Sequence, residues 1–185
     1  MKIAYTLLQS IAWVLMVASL ITLDAAQADD DFQFVSMWGN KGDGPGEFDG
    51  PFDVAVDREG FVYVTDTGNR RIQKFSPDGT FILQWGSQGT GPGTFVKPTG
   101  IAIGQDNTVF VSDYFTDTVQ QFTRDGKFLK RWGRPGNQPG ELDSPAGLAV
   151  GLDGAVYVID EYNFRVQKFT SEGRFLTAWG KKGKV

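Results

Sequence analysis

The chain has 185 residues, 41% of them hydrophobic and 14% aromatic, which suits one globular domain with a sizeable core and excludes a disordered tail. Its 18 basic and 22 acidic side chains leave a net charge of -4, so the surface does not attract polyanions. With no cysteine, no disulfide can form, and stability must come from packing and sheet hydrogen bonds.

At the N-terminus Lys2 is followed by an apolar stretch over 11–23 and then by Ala26-Gln27-Ala28. A charged start, a short apolar centre and a small-residue cleavage site predict a signal peptide over 1–28, cut after Ala28. The protein is then expected to be secreted or periplasmic, with no stable membrane insertion once the signal is removed. An uncleaved anchor is the alternative, because extending the apolar stretch back to Ile3 approaches the ~20 residues of a spanning helix.

Residues 29–185 form the second region, and they repeat. Trp-Gly recurs at Trp38, Trp85, Trp132 and Trp179, a spacing of 47 residues each time, giving repeats of about 39–85, 86–132 and 133–179. In that register Pro51, Pro98 and Pro145 align, as do Ala55, Ala102 and Ala149. So do Asp66, Asp113 and Asp160, then Gln73, Gln120 and Gln167, and Phe75, Phe122 and Phe169. The 24 glycines follow no collagen period and mark tight turns.

Taken in chain order, the first repeat predicts strand a over Phe52–Val56, b over Phe61–Asp66, c over Arg71–Ser76 and d over Phe81–Trp85. Hairpin-sized turns join a to b (Asp57-Arg58-Glu59-Gly60) and c to d (Pro77-Asp78-Gly79). The earlier run Phe34-Val35-Ser36-Met37-Trp38 matches strand d and predicts one extra N-terminal strand. Four-stranded units that cannot bury their apolar residues alone must stack on one another, so the fold class is all-β, a radial β-propeller. Small residues in strand a suit the crowded axis, and the Trp and Phe of strand d suit wedging between blades.

The run Gly44-Pro45-Gly46-Glu47-Phe48, then Pro51, then Val62-Tyr63-Val64-Thr65-Asp66-Thr67-Gly68-Asn69-Arg70-Arg71-Ile72-Gln73-Lys74-Phe75 resembles the NHL repeat, and the likeness runs from about Phe34 to Gly180. The Trp-Asp dipeptide of WD40 blades and the Gly-Gly doublet of kelch blades are absent. The resemblance implies rings of about six blades, so the three blades here make half a ring. Open blade faces would expose apolar surface. Two solutions are expected: a homodimer completing a six-bladed ring, or a shortened gene product lacking its partner blades.

Because strands alternate in direction, the b-to-c and d-to-a loops share one face and the tight turns share the other. The repeated aspartates read as acceptors for their own loops rather than as a metal-binding ring, and the repeated glutamines as bonded to a neighbouring loop or strand. Phe48, Phe95 and Leu142 read as loop core. The positions after the aspartate vary, and they supply the candidate binding residues: Asn69, Arg70 and Arg71, then Tyr114, Phe115 and Asp117, then Glu161, Tyr162, Phe164 and Arg165. The alternative is that the aromatic residues among them pack on adjacent blades.

The leading expectation is an interaction module binding a protein or glycan through this loop face, with no nucleic acid, no cofactor, no metal site and no catalytic residue. The resemblance also implies propeller enzymes, either lyases like the peptide-amidating lyases or calcium-dependent lactonases, or a truncated non-catalytic relative of one. A chain with no histidine and no cysteine supplies no zinc site of the amidating-lyase kind. Calcium needs only oxygen ligands such as Asp53 or Glu161, yet the positions matching Asp53 are Gly100 and Gly147 and no Asp-x-Asp-x-Asp-Gly loop occurs.

Overall fold

A computed structural model describes residues 34–183. The expected signal segment over 1–28 lies outside them. The chain divides into two units, Met1–Ser36 and Met37–Val185, and every strand among the described residues belongs to the second.

The 47-residue repeat becomes three antiparallel four-stranded sheets, each with its strands in sequence order. Blade 1 holds β1 (Pro51–Val56), β2 (Val62–Asp66), β3 (Arg71–Phe75) and β4 (Phe81–Trp85). Blade 2 holds β5 (Pro98–Ile103), β6 (Val109–Asp113), β7 (Thr118–Phe122) and β8 (Phe128–Trp132). Blade 3 holds β9 (Pro145–Val150), β10 (Val156–Asp160), β11 (Arg165–Phe169) and β12 (Phe175–Trp179). No helix occurs among the described residues, and none there is long and apolar enough to cross a membrane. The strands agree with the sequence expectation to within one residue at each end, because Gly, Pro and Asp turns fix where pairing stops.

The extra N-terminal strand does not form: residues 34–38 pair with nothing among the described residues. A d strand needs a c strand beside it, and β3, β7 and β11 are each already paired with a d strand of their own. Trp38 nonetheless docks on blade 1, its ring centroid 6.3 Å from that of Phe75.

Strands β1, β5 and β9 lie side by side at the axis, where the chain needs small residues. A Cβ at Gly100 would fall 2.6 Å from the Ala146 carbonyl oxygen, so only glycine fits that approach. The apolar residues gather between blades rather than within them. Tyr63 and Ile72 of blade 1 meet Phe95, Ile101, Val109, Val111 and Phe122 of blade 2. Phe110, Val119 and Trp132 of blade 2 meet Leu142, Val156, Val158 and Phe169 of blade 3 in the same way. Each fully buried aromatic or aliphatic side chain contributes roughly 1.5–3 kcal/mol, so the two inter-blade layers carry the stability of the unit.

Candidate functional site

The loop face is built on three buried aspartates, and each b-to-c loop hangs from its own. In blade 1 Asp66 accepts hydrogen bonds from the Asp49 N–H (2.8 Å), Asn69 Nδ2 (2.9 Å), Arg71 Nε (2.7 Å) and Gln73 Nε2 (3.1 Å). The Arg71 guanidinium spends its remaining donors on the carbonyls of Asp43, Gly44 and Glu47 and on Gln84 Oε1. All five of its N–H groups are thereby used, which is the geometry a planar fork provides. Blade 3 repeats the arrangement with Asp160, Asn163, Arg165 and Gln167. Gln73, Gln120 and Gln167 also accept the N–H of Gly46, Gly93 and Gly140, closing the d-to-a loop onto the sheet.

Blade 2 is built differently. Thr116 and Thr118 stand where Asn and Arg stand in the other copies, and their hydroxyls bond each other at 2.8 Å. Asp113 is fully buried with no cation beside it and accepts four backbone N–H groups instead, from Val96, Lys97, Phe115 and Thr116. The carbonyl of Thr90, which matches that of Asp43, is reached by Arg131 from β8.

These networks sort the ten candidate residues. Asn69, Arg71 and Arg165 are committed to the scaffold through their bonds to the aspartates and loop carbonyls. Arg70, Asp117 and Phe164 occupy one equivalent position with φ of 54°, 54° and 55°, a left-handed turn held by a non-glycine residue in every blade. Arg70 is half-buried, whereas Asp117 accepts the Ser144 N–H at 2.7 Å and ties blade 2 to the loop entering blade 3. Burial pushes the Asp117 carboxyl above the ordinary carboxylate range, with Asp143, Asp160 and Asp113 adding to the effect against the Ser144 bond.

Tyr114, Phe115 and Tyr162 come together. The rings of Tyr114 and Phe115 lie 5.5 Å apart and those of Tyr114 and Tyr162 6.5 Å apart, both edge to face, so the cluster spans blades 2 and 3. Phe115 is 64% exposed and Tyr162 57%, so both rings stay largely open to solvent even though Tyr162 meets Tyr114 of the adjacent blade. The hydrogen bond with the Tyr162 phenol, some desolvation and the Glu161 charge push the Tyr114 phenol above its usual value, against a lowering bond with Ser144. Glu161 is exposed at the margin, and Phe164 is exposed with Lys182 Nζ 5.2 Å from its ring centre.

One member of the cluster was missed by sequence reasoning. Lys97 Nζ sits 4.1 Å from the Tyr114 ring centre and 5.0 Å from that of Phe115, a cation held over aromatic faces. Its matching positions are Gly50 and Ser144, so a lone cation where the other copies carry a small residue was the available signal. The patch thus offers apolar ring faces, phenolic hydroxyls, one cation and a rim carboxylate, all on loops fixed by buried hydrogen bonds. Among the described residues, no group of three or more His, Cys, Asp and Glu side chains is placed to hold a metal ion.

A family model described as 6-bladed beta-propeller matches residues 56–130, and the NHL repeat model matches residues 142–169. The E3 ubiquitin-protein ligase TRIM71 of Mus musculus is 49% identical over 43 residues, which is 23% of this chain and 5% of that protein. Among solved structures, a gluconolactonase from Xanthomonas campestris superposes with a TM-score of 0.60 at 21% identity, over 84% of this chain and 55% of its own. A streptogramin B lyase gives a TM-score of 0.54 at 21% identity, over 69% of this chain and 39% of its own. A chain of the nidogen/laminin complex gives 0.51 at 23% identity, over 67% of this chain and 45% of its own. These likenesses establish the propeller fold, and the chain spans a small part of the curated relative and about half or less of each of the three solved chains.

Proposed function

As the protein is a chain of NHL-repeat β-propeller blades, we propose that it is an interaction module, and that its b-to-c loop face binds a protein or glycan partner. The observation that carries this reading is the exposed cluster of Tyr114, Phe115 and Tyr162 with Lys97 over its rings. Tyr and Phe present large, rigid contact area at low entropic cost, and they are the usual anchors of a recognition surface. Held by buried networks on two adjacent blades, they need little ordering when a partner arrives. The propeller of the nidogen/laminin structure belongs to a protein complex, which supports binding as a use of this architecture. The net charge of -4 argues against nucleic acid as the partner.

The layout of residues 1–28 supports an exported protein, secreted or periplasmic, with the loop face acting outside the cytoplasm. Catalysis is the second reading, prompted by the lactonase and lyase folds. Any chemistry would have to be carried by Asp, Glu, Tyr, Ser, Thr, Lys and Arg alone, since the chain holds no histidine or cysteine.

The test uses the chain as bait against the extracellular fraction and against a glycan array. Phe115→Ala with Tyr162→Ala is expected to abolish capture, while Leu152→Ala, on an exposed a-to-b turn of the opposite face, leaves it intact. Capture that survives the double variant and fails in L152A would place the partner on the wrong face for this reading. Turnover of a lactone by the purified chain, with or without calcium, would favour the enzyme instead.

A further inference from the structure

The two outer faces of the three-blade unit are the halves of an interface that the chain builds twice inside itself. At each inner seam the tryptophan ending one blade covers the c-to-d turn of the next. A Cβ at Gly126 would fall 2.7 Å from Trp85 Cδ2, and the Trp85 ring lies 5.8 Å from Phe122. Trp132 covers Gly173 in the same way and lies 4.5 Å from Phe169. Those turn glycines have φ of 78° and 81° and no side chain, so a flat indole rests on bare backbone. Between blades 1 and 2, Ile101 on the first strand of the following blade is buried to 3% exposure in the layer with Tyr63 and Ile72.

The outer face of blade 3 presents the tryptophan half, uncovered among the described residues. Trp179 is 50% exposed, against 8% for Trp132, and the groove beside it is lined by Ile159, Phe164 and Val166. The outer face of blade 1 presents the other half: Val54, matching Ile101, is 58% exposed, and Val56 is 57% exposed. Its turn at Gly79 is covered by the chain's own Trp38, whose Cδ2 lies 2.7 Å from where a Cβ would stand. Strand c adds a polar contact at each seam: Lys74 Nζ donates to the Arg124 carbonyl at 3.1 Å, and Gln121 Nε2 donates to the Ser171 carbonyl. Lys168 holds the equivalent place on blade 3 and bonds Asp153 of its own blade at 2.8 Å.

We propose that two copies of the chain join head to tail into one closed ring, each inserting Trp179 into the Gly79 turn of the other and displacing that copy's Trp38. In the closed ring Lys168 reaches the carbonyl of Pro77 in the second copy, as Lys74 reaches that of Arg124. The three blades among the described residues are half the number in the six-bladed family model that matches residues 56–130, which fits two copies to one ring. Two identical seams related by a two-fold axis bury both apolar faces and leave no open blade. Trp38 is then an internal stand-in that protects blade 1 in the single copy and competes with the incoming Trp179.

Sedimentation equilibrium at micromolar concentrations, on protein recovered from cells expressing all 185 residues, tests this. The expected species has twice the chain mass. Trp179→Ala weakens association by about thirtyfold or more, as loss of a central interface tryptophan does. Trp38→Ala removes the competitor and strengthens association by roughly tenfold. Val56→Asp places a charge on the already exposed face of blade 1 and gives a monomer that keeps the strand circular dichroism and a cooperative melt whose midpoint no longer rises with protein concentration, which separates lost association from lost folding. A monomer at every concentration, a dimer indifferent to W179A, or association weakened by W38A would each overturn the proposal.

Discussion

Blades 1 and 3 hold their loops with an arginine, whereas blade 2 holds its loop with backbone alone. The buried Asp66 and Asp160 are neutralised by Arg71 and Arg165 at 2.7 and 2.6 Å, with an asparagine completing each set. The equally buried Asp113 draws on four N–H groups of its own blade's loops. Both solutions satisfy a buried carboxylate, but they constrain the sequence differently. The arginine solution commits two of the loop's side chains to scaffolding. The backbone solution leaves those two positions to Thr116 and Thr118, while Tyr114, Phe115 and Tyr162 come from the two positions directly after the aspartate, whose side chains neither solution uses to hold the carboxylate.

The two kinds of blade differ most in what the loss of the arginine position costs. Arg71→Ala leaves Asp66 buried without its cation and is expected to cost about 3–5 kcal/mol in urea denaturation. Thr118→Ala, at the matching place in blade 2, should cost under about 1 kcal/mol, since only a hydroxyl pair is lost. Equal costs would mean that Asp113 depends on Thr118 as Asp66 depends on Arg71.

A smaller contrast separates Asn69 from Thr116. Asn69→Ala removes bonds to Asp66 and to the Gly42 carbonyl and should cost about 1–2 kcal/mol, with Thr116→Ala costing less. Asp117 gives a pH-dependent difference. Its carboxyl is raised in the folded state, so the folded chain takes up a proton before the unfolded chain does, and the stability at this site falls as pH rises through that range. Asp117→Asn is therefore expected to stabilise by a few tenths of a kcal/mol at pH 7, after allowance for solvent screening, and to lose that gain below about pH 4. Asparagine also tolerates the left-handed φ of 54°. Thermal melts across that pH range check the sign. The smallest stability effect belongs to the aromatic pair: F115A with Y162A should change the melting free energy by under about 1 kcal/mol, because both rings face solvent.

How much of the fold and the site was legible in sequence depends on which interactions are local. Strand limits were readable to a residue because glycine, proline and aspartate terminate each run within the repeat itself. The strand expected at 34–38 failed because pairing needs a neighbour that no local pattern supplies. Treating every loop position after the aspartate as free grouped Asn69, Arg71 and Arg165 with the exposed residues. Their recurrence in two of the three copies, as Asn69 with Asn163 and Arg71 with Arg165, already separated them from Tyr114, Phe115 and Tyr162. Lys97 was hidden because its contact with Tyr114 joins a d-to-a loop to a b-to-c loop, a meeting set by the sheet and not by spacing.

Hydrogen exchange on the bait with its captured partner tests the recognition face most directly. Added protection is expected at residues 97, 114–117 and 161–164 alone, with the opposite turns around Leu152 and Gly154 unchanged. Protection centred on those opposite turns, with the aromatic loops exchanging as freely as in the unbound chain, would contradict it.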